Sequence, residues 1–151
     1  MALRLFALLL AATLPAAALE EKHISRKDLP PAVEKALASQ PKDARYILFE
    51  REVEDGKTFY EVKLKTGGRA RTLLFEPDGT LFEVEQEVPF ESLPPAVKAG
   101  LSKQAGDRKM GLVLTITKRG KLVSYAAFVT RGKAKSEVRV SPEGRPVPLS
   151  D

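Results

Sequence analysis

Few side chains in this 151-residue chain have catalytic or metal-binding habits. His23 is its only histidine, and it has no cysteine. Zinc and other transition metals therefore lose their usual ligands, and a metal site would have to rest on carboxylates. Nucleophilic catalysis needs a hydroxyl or thiol beside an oriented base. Ser25, Ser39, Ser92, Ser102, Ser124, Ser136, Ser141 and Ser150 have no such setting in the sequence. Carboxylates are more promising, since Glu50, Glu52 and Glu54, and again Glu83, Glu85 and Glu87, recur at every second residue. On a strand that spacing places each trio on one face. Such a face could host acid–base chemistry or a weak calcium site, but its simplest use is to keep a sheet soluble. Gly67-Gly68 lies in neither a GxxxxGK[ST] nor a strand-GxGxxG-helix context, so it is no phosphate loop. These residues predict a protein that is not an enzyme and that carries no cofactor or metal.

The compartment is written at the N-terminus. MALRLFALLLAATLPAAALEEK contains Arg4, an apolar run from Leu5 to Leu14, Pro15, and an Ala16-Ala17-Ala18 site before two glutamates. Those are the parts of a secretory signal, so residues 1–18 are set aside from the fold and cleavage is expected near Ala18. An uncleaved anchor is the alternative, but the run is well short of the ~20 residues of a membrane span. The mature chain is expected to be periplasmic or secreted, with no span. Lacking cysteine, it must be stabilised by its core alone.

Charge divides the chain. From Glu20 to Phe90 there are 12 basic and 15 acidic residues; from Glu91 to Asp151 there are 12 and 5. A basic half suggests anionic partners. Export argues against nucleic acid, however, and the basic residues fall mainly at strand ends and turns, as on a solvated surface.

One segment is written twice. Asp28-Leu-Pro-Pro-Ala-Val-Glu-Lys-Ala-Leu37 returns as Ser92-Leu-Pro-Pro-Ala-Val-Lys-Ala-Gly-Leu101. Asp28 and Ser92 suit an N-cap, the prolines suit a first turn, and apolar residues at i, i+3, i+4, i+7 and i+8 give each copy one stripe. After the first copy, EDGK (54–57), TGGR (66–69) and PDGT (77–80) separate strand-length segments. Two-residue turns put Ile47, Phe49, Arg51, Val53, Thr58, Tyr60, Val62, Leu64, Arg71, Leu73, Phe75, Phe82 and Val84 on one mainly apolar face. Glu50, Glu52, Glu61, Lys63, Thr72, Glu83 and Glu85 share the other, with Leu48, Phe59 and Leu74 as exceptions. Gly56, Gly68 and Pro77-Asp78-Gly79 recur as Gly120, Gly132 and Pro142-Glu143-Gly144. The expected fold class is α+β: two tandem αββββ repeats, 19–89 and 90–151, each a short helix packed on a four-stranded antiparallel meander. Arg145–Leu149, broken by Pro146 and Pro148, is expected as the final edge strand.

The second copy departs from the first. With the turn at Arg119-Gly120, Gly111, Val113, Thr115, Thr117, Leu122, Ser124, Ala126 and Phe128 take the core side. Met110, Leu112, Leu114, Ile116, Val123, Tyr125, Ala127 and Val129 take the side that is acidic in copy one. Eight apolar side chains there would exceed the few hundred Å² at which an exposed patch calls for explanation. The face is buried within the monomer, or forms a homodimer interface, or docks another protein with Tyr125 as an anchor. A register slip would exchange the two sets.

Leu29-Pro30-Pro31-Ala32-Val33, Gly56-Lys57-Thr58-Phe59-Tyr60-Glu61-Val62 and Phe75-Glu76-Pro77-Asp78-Gly79-Thr80 together resemble the PepSY-like, beta-lactamase-inhibitor-like domain family. The resemblance covers the first repeat well and the second loosely. It implies an exported bacterial module that binds or inhibits proteins, and it carries over no catalytic or ligand residue. The expected partner is a protein of the cell envelope. The alternative is a small-ligand, metal-ion or envelope-stress sensing module using the acidic face.

Overall fold

The computed structural model describes residues 20–149. The predicted export signal and its cleavage site lie outside them. The elements are β1 (Glu20–His23), α1 (Pro31–Leu37), β2 (Arg45–Glu54), β3 (Lys57–Thr66), β4 (Arg69–Phe75), β5 (Leu81–Glu87), α2 (Pro95–Ala105), β6 (Lys109–Lys118), β7 (Lys121–Arg131) and β8 (Ala134–Val140). All eight strands form one sheet in sequence order, with antiparallel neighbours throughout. β1 precedes α1 and pairs with β2, as β5 precedes α2 and pairs with β6. The seam between the halves is thus an ordinary ladder, and the two sheets are continuous; instead of two four-stranded αββββ units, five strands, with β1 ahead of α1, fall before residue 89 and three follow α2. In place of a final strand, the tail makes one bridge, Val140 to Pro146, because proline has no N–H to extend a ladder.

The helices start two residues later than Asp28 and Ser92 imply. A residue before proline is pushed to extended backbone, so Leu29 and Pro30 (ψ 144° and 142°) stay outside α1, and Pro94 (ψ 146°) stays outside α2. Asp28 and Ser92 instead end short 3-10 turns, where the Asp28 carboxylate accepts the Ser25 N–H at 3.0 Å.

Both helices pack on the same side of the sheet. Under α1 lie Val62, Leu64, Leu73 and Phe75 with Leu29, Val33 and Leu37. Beneath α2, Val113, Tyr125, Ala127, Val129, Val138 and Val140 meet Leu93, Val97, Leu101 and Ala105. The ladder pairs Val84 with Thr117 and Gln86 with Thr115, so the two clusters belong to one face.

The first two turns hold the expected register, Glu54 opposite Lys57 and Thr66 opposite Arg69. Bulges change four other places. An extra residue at Ile47 leaves it 55% exposed and gives its core position to Tyr46. Phe75 pairs with Leu81, so Leu81 joins the core while Phe82 turns to the other side and meets Phe59 at 5.2 Å. In copy two, Thr117 pairs with Leu122 but Ile116 pairs with Ser124, which leaves Val123 as the extra residue. A second irregularity takes up Gly111 and Leu112.

Those last bulges correct the face assignment. Tyr125, Ala127, Val129 and Met110 belong to the core beneath α2 and do not line the opposite side. Ser124 and Ala126, assigned above to the core side, take the opposite side beside Ile116 and Leu114. Tyr125→Ala is therefore expected to cost about 3 kcal/mol, read by chemical denaturation.

Candidate functional site

The side of the sheet away from the helices is the candidate site. Among the described residues no helix covers it. One row runs across six strands as His23, Glu50, Glu61, Leu74, Glu83 and Lys118. A second runs Lys63, Thr72, Glu85, Ile116, Ser124. A third joins Glu87, Leu114, Ala126 and Arg139. Phe128 faces Glu137 nearby.

These acids are not the solvated fringe their spacing predicts. Glu50, Glu52, Glu61, Glu83, Glu85 and Glu137 are all buried, between 1% and 9% exposed. With no described helix over this side, such burial is by neighbours on the same sheet, among them Lys63, Phe59 and Phe82. Ionised carboxylates survive such burial only when paired. Lys63 Nζ sits 2.9 Å from Glu50 Oε2 and 2.7 Å from Glu61 Oε1. Lys118 pairs with Glu83 at 3.1 Å, Arg139 with Glu137 at 2.8 Å, and His23 Nδ1 lies 3.3 Å from Glu50 Oε1.

Glu50 and Glu61 divide one proton. Burial pushes the Glu61 carboxyl up to about 8, helped by the charge of Glu52 and the hydrogen bond with Glu50 and opposed by Lys63. Burial acts against Glu50 too, but its hydrogen bond and attraction to Lys63 prevail and hold it below the usual carboxylate range. Burial would also lower Lys63, yet its bonds to both glutamates raise it. At neutral pH the arrangement is therefore a protonated Glu61 beside ionised Glu50 and charged Lys63. Glu137 is raised by burial, with Arg139 opposing.

Of the eight apolar residues singled out in the sequence, Leu114 and Ile116 lie on this side, both buried at 7% and 1%. Leu112 and Val123 are half-buried at the bulges. The other four lie under α2. Sequence reasoning missed the Glu50–Glu61–Lys63 cluster as a buried unit; the signal was Phe59 and Leu74 on an otherwise charged face. Among the described residues no three histidines, cysteines or acids are grouped so as to hold a metal ion. Nor is any helix among them long and apolar enough to cross a membrane.

The model of the PepSY-like, beta-lactamase-inhibitor-like family matches residues 18–83 and again 58–142. The chain belongs to that family. No curated protein matches its sequence. Solved structures share the fold of this PepSY-like chain at low identity. A BLIP-like protein from Bacteroides fragilis is 20% identical, with a TM-score of 0.59 over 80% of this chain and 84% of its own. A Bacteroides eggerthii protein with a proposed periplasmic location is 16% identical, with a TM-score of 0.64 over 80% and 86%. A DUF2874 family protein from Bacteroides ovatus is 14% identical, with a TM-score of 0.60 over 80% and 85%.

Proposed function

We propose that this chain is an exported, non-enzymatic binding protein that engages a protein of the cell envelope, as an inhibitor or modulator, through the open side of its sheet. The observation that carries the reading is that both helices lie on one side, leaving opposite them an uncovered surface of buried, ion-paired side chains. Paired carboxylates and lysines that cannot reorient cost little entropy on binding and give directional polar contacts. Half-buried Phe82 and Phe128 supply apolar area beside them. The relatives with inhibitor-like and periplasmic descriptions support the same role and place.

The unit of construction is a duplicated helix-and-sheet module, 19–89 and 90–151. Its support is a contact made twice: the turn glycine Gly79 lies against Ala32 of α1, and Gly144 lies against Ala96 of α2. A second reading, an envelope-stress sensing module, is favoured by one observation, the buried cluster in which Lys63 bridges Glu50 and Glu61.

Affinity capture from a periplasmic extract tests the first reading, comparing wild type with Phe128→Asp and Thr72→Arg, each shown to be folded. Both are expected to lose a protein that wild type retains, while Lys35→Glu on α1 keeps it. Retention of every captured protein by both folded variants contradicts the proposal.

A further inference from the structure

Basic side chains gather at the end of the sheet where the α2–β6 loop meets the β7–β8 turn. Lys103 stands in the last turn of α2, Arg108 and Lys109 lead into β6, Arg131 ends β7, Lys133 occupies the turn, and Lys135 begins β8. Structure gathers what sequence scatters over 33 positions. Lys109 pairs with Thr130, and Thr130 with Lys135, so the two lysines flank one residue on a single cross-strand row. Arg108 Nη1 donates to Ser136 Oγ at 2.9 Å, and Arg131 pairs with Asp107.

Asp107 is the acid within this stretch of loop and turn, and it answers one cation of six. All but Arg108 are exposed. The β3–β4 turn, directed to the same end, adds Lys65 and Arg69, while nearby Asp43 is engaged by the Gly67 N–H at 2.8 Å.

We propose that this basic end docks on an anionic lipid surface. The cluster sits on loop and turn tips, a projecting surface that meets an extended charged plane better than it would enclose a strand or peptide. No aromatic residue occurs between Lys103 and Arg108 or between Arg131 and Lys135, so it offers no platform on which nucleobases could stack. A second copy of the chain is a poorer counterpart, because the carboxylates on the open side of its sheet are individually buried and paired with its own lysines and arginine. With no apolar side chain larger than Ala134 at the tips, attachment is peripheral, electrostatic and released by salt.

The test is co-sedimentation of the folded chain, lacking residues 1–18, with vesicles of equal parts phosphatidylglycerol and phosphatidylethanolamine, against phosphatidylcholine alone. Binding is expected to the first only, and to be lost by ~0.5 M salt. Lys109→Glu, Lys133→Glu and Lys135→Glu together are expected to weaken it by at least about a hundredfold, from about fivefold per cation. Lys57→Glu with Lys121→Glu, at the opposite end, is expected to leave it within about threefold, with circular dichroism unchanged in both variants. Equal binding to phosphatidylcholine, equal loss in the control, or binding to a soluble polyanion but not to vesicles would overturn the proposal.

Discussion

Replacing Gly144 with alanine is expected to destabilise the protein by at least about 3 kcal/mol, shifting the thermal midpoint by about 10 °C. Gly144 has φ of +78°, a region that costs a residue with a Cβ about 1–2 kcal/mol. The larger part is steric, because an added Cβ would stand 2.1 Å from the Ala96 carbonyl oxygen and 3.3 Å from the Val97 nitrogen. Both contacts are backbone of α2, which cannot move without pulling Val97 and Leu101 from the core. Gly132 provides the comparison: its φ is +58° but nothing lies within 4 Å of an added Cβ, so Gly132→Ala should cost only the backbone strain. Denaturation midpoints that fall equally for the two variants would show that the turn does not press on the helix. The same contact fits the joint recurrence of LPPA and the P-D/E-G turn, since Gly79 and Gly144 each lie against the backbone carbonyl of the helix alanine, Ala32 or Ala96.

Lys63→Met is the second large effect, with an expected loss of about 3–5 kcal/mol at pH 7 to 8. Methionine fills the space but leaves Glu50 and Glu61 together without their shared cation. The cost should shrink at pH 5, because Glu50, no longer held low by Lys63, can take up a proton there and leave no unpaired buried charge. Glu61→Gln isolates the proton. Because Glu61 is raised in the folded state to about 8, its contribution is whole below the unfolded value of ~4.3 and is lost as pH rises toward 8, by up to about 1.4 kcal/mol per unit. Glu50, held low, acts in the opposite sense, and its contribution is lost only as pH falls below the ordinary carboxylate range. Glu61→Gln should therefore be more stable than wild type at pH 8 and flatter between pH 5 and 8, measured by urea denaturation across that range. A wild-type stability that does not fall over this interval would contradict the buried neutral carboxyl.

How far the sequence could be read follows from what each pattern constrains. Around Glu54–Lys57 and Thr66–Arg69, one side of each strand is apolar and the other charged, so only one register satisfies both and the pairing is legible. In β6 and β7 both sides are apolar; alternation then contains no register, and bulges at Gly111–Leu112 and Val123 passed unseen. That is why Tyr125 reads as an exposed anchor yet lies beneath α2. Alternation also places Glu50, Glu52 and Glu61 on the side away from the helix without reporting that they are buried there. Lys63 was legible as a neighbour of these acids and illegible as their counter-ion, since pairing depends on side-chain direction across the ladder.

The open side of the sheet is the surface proposed to meet a partner. A photo-activated crosslinking residue placed at Thr72, in the middle of that side between Lys63 and Glu85, tests it against the same residue placed at Lys35 on α1. Irradiation in the intact cell envelope is expected to trap one discrete protein from position 72 and not from position 35, with trapping abolished by Phe128→Asp on the same side. Trapping of that protein from position 35 alone, or from 72 regardless of Phe128→Asp, would place the binding surface elsewhere.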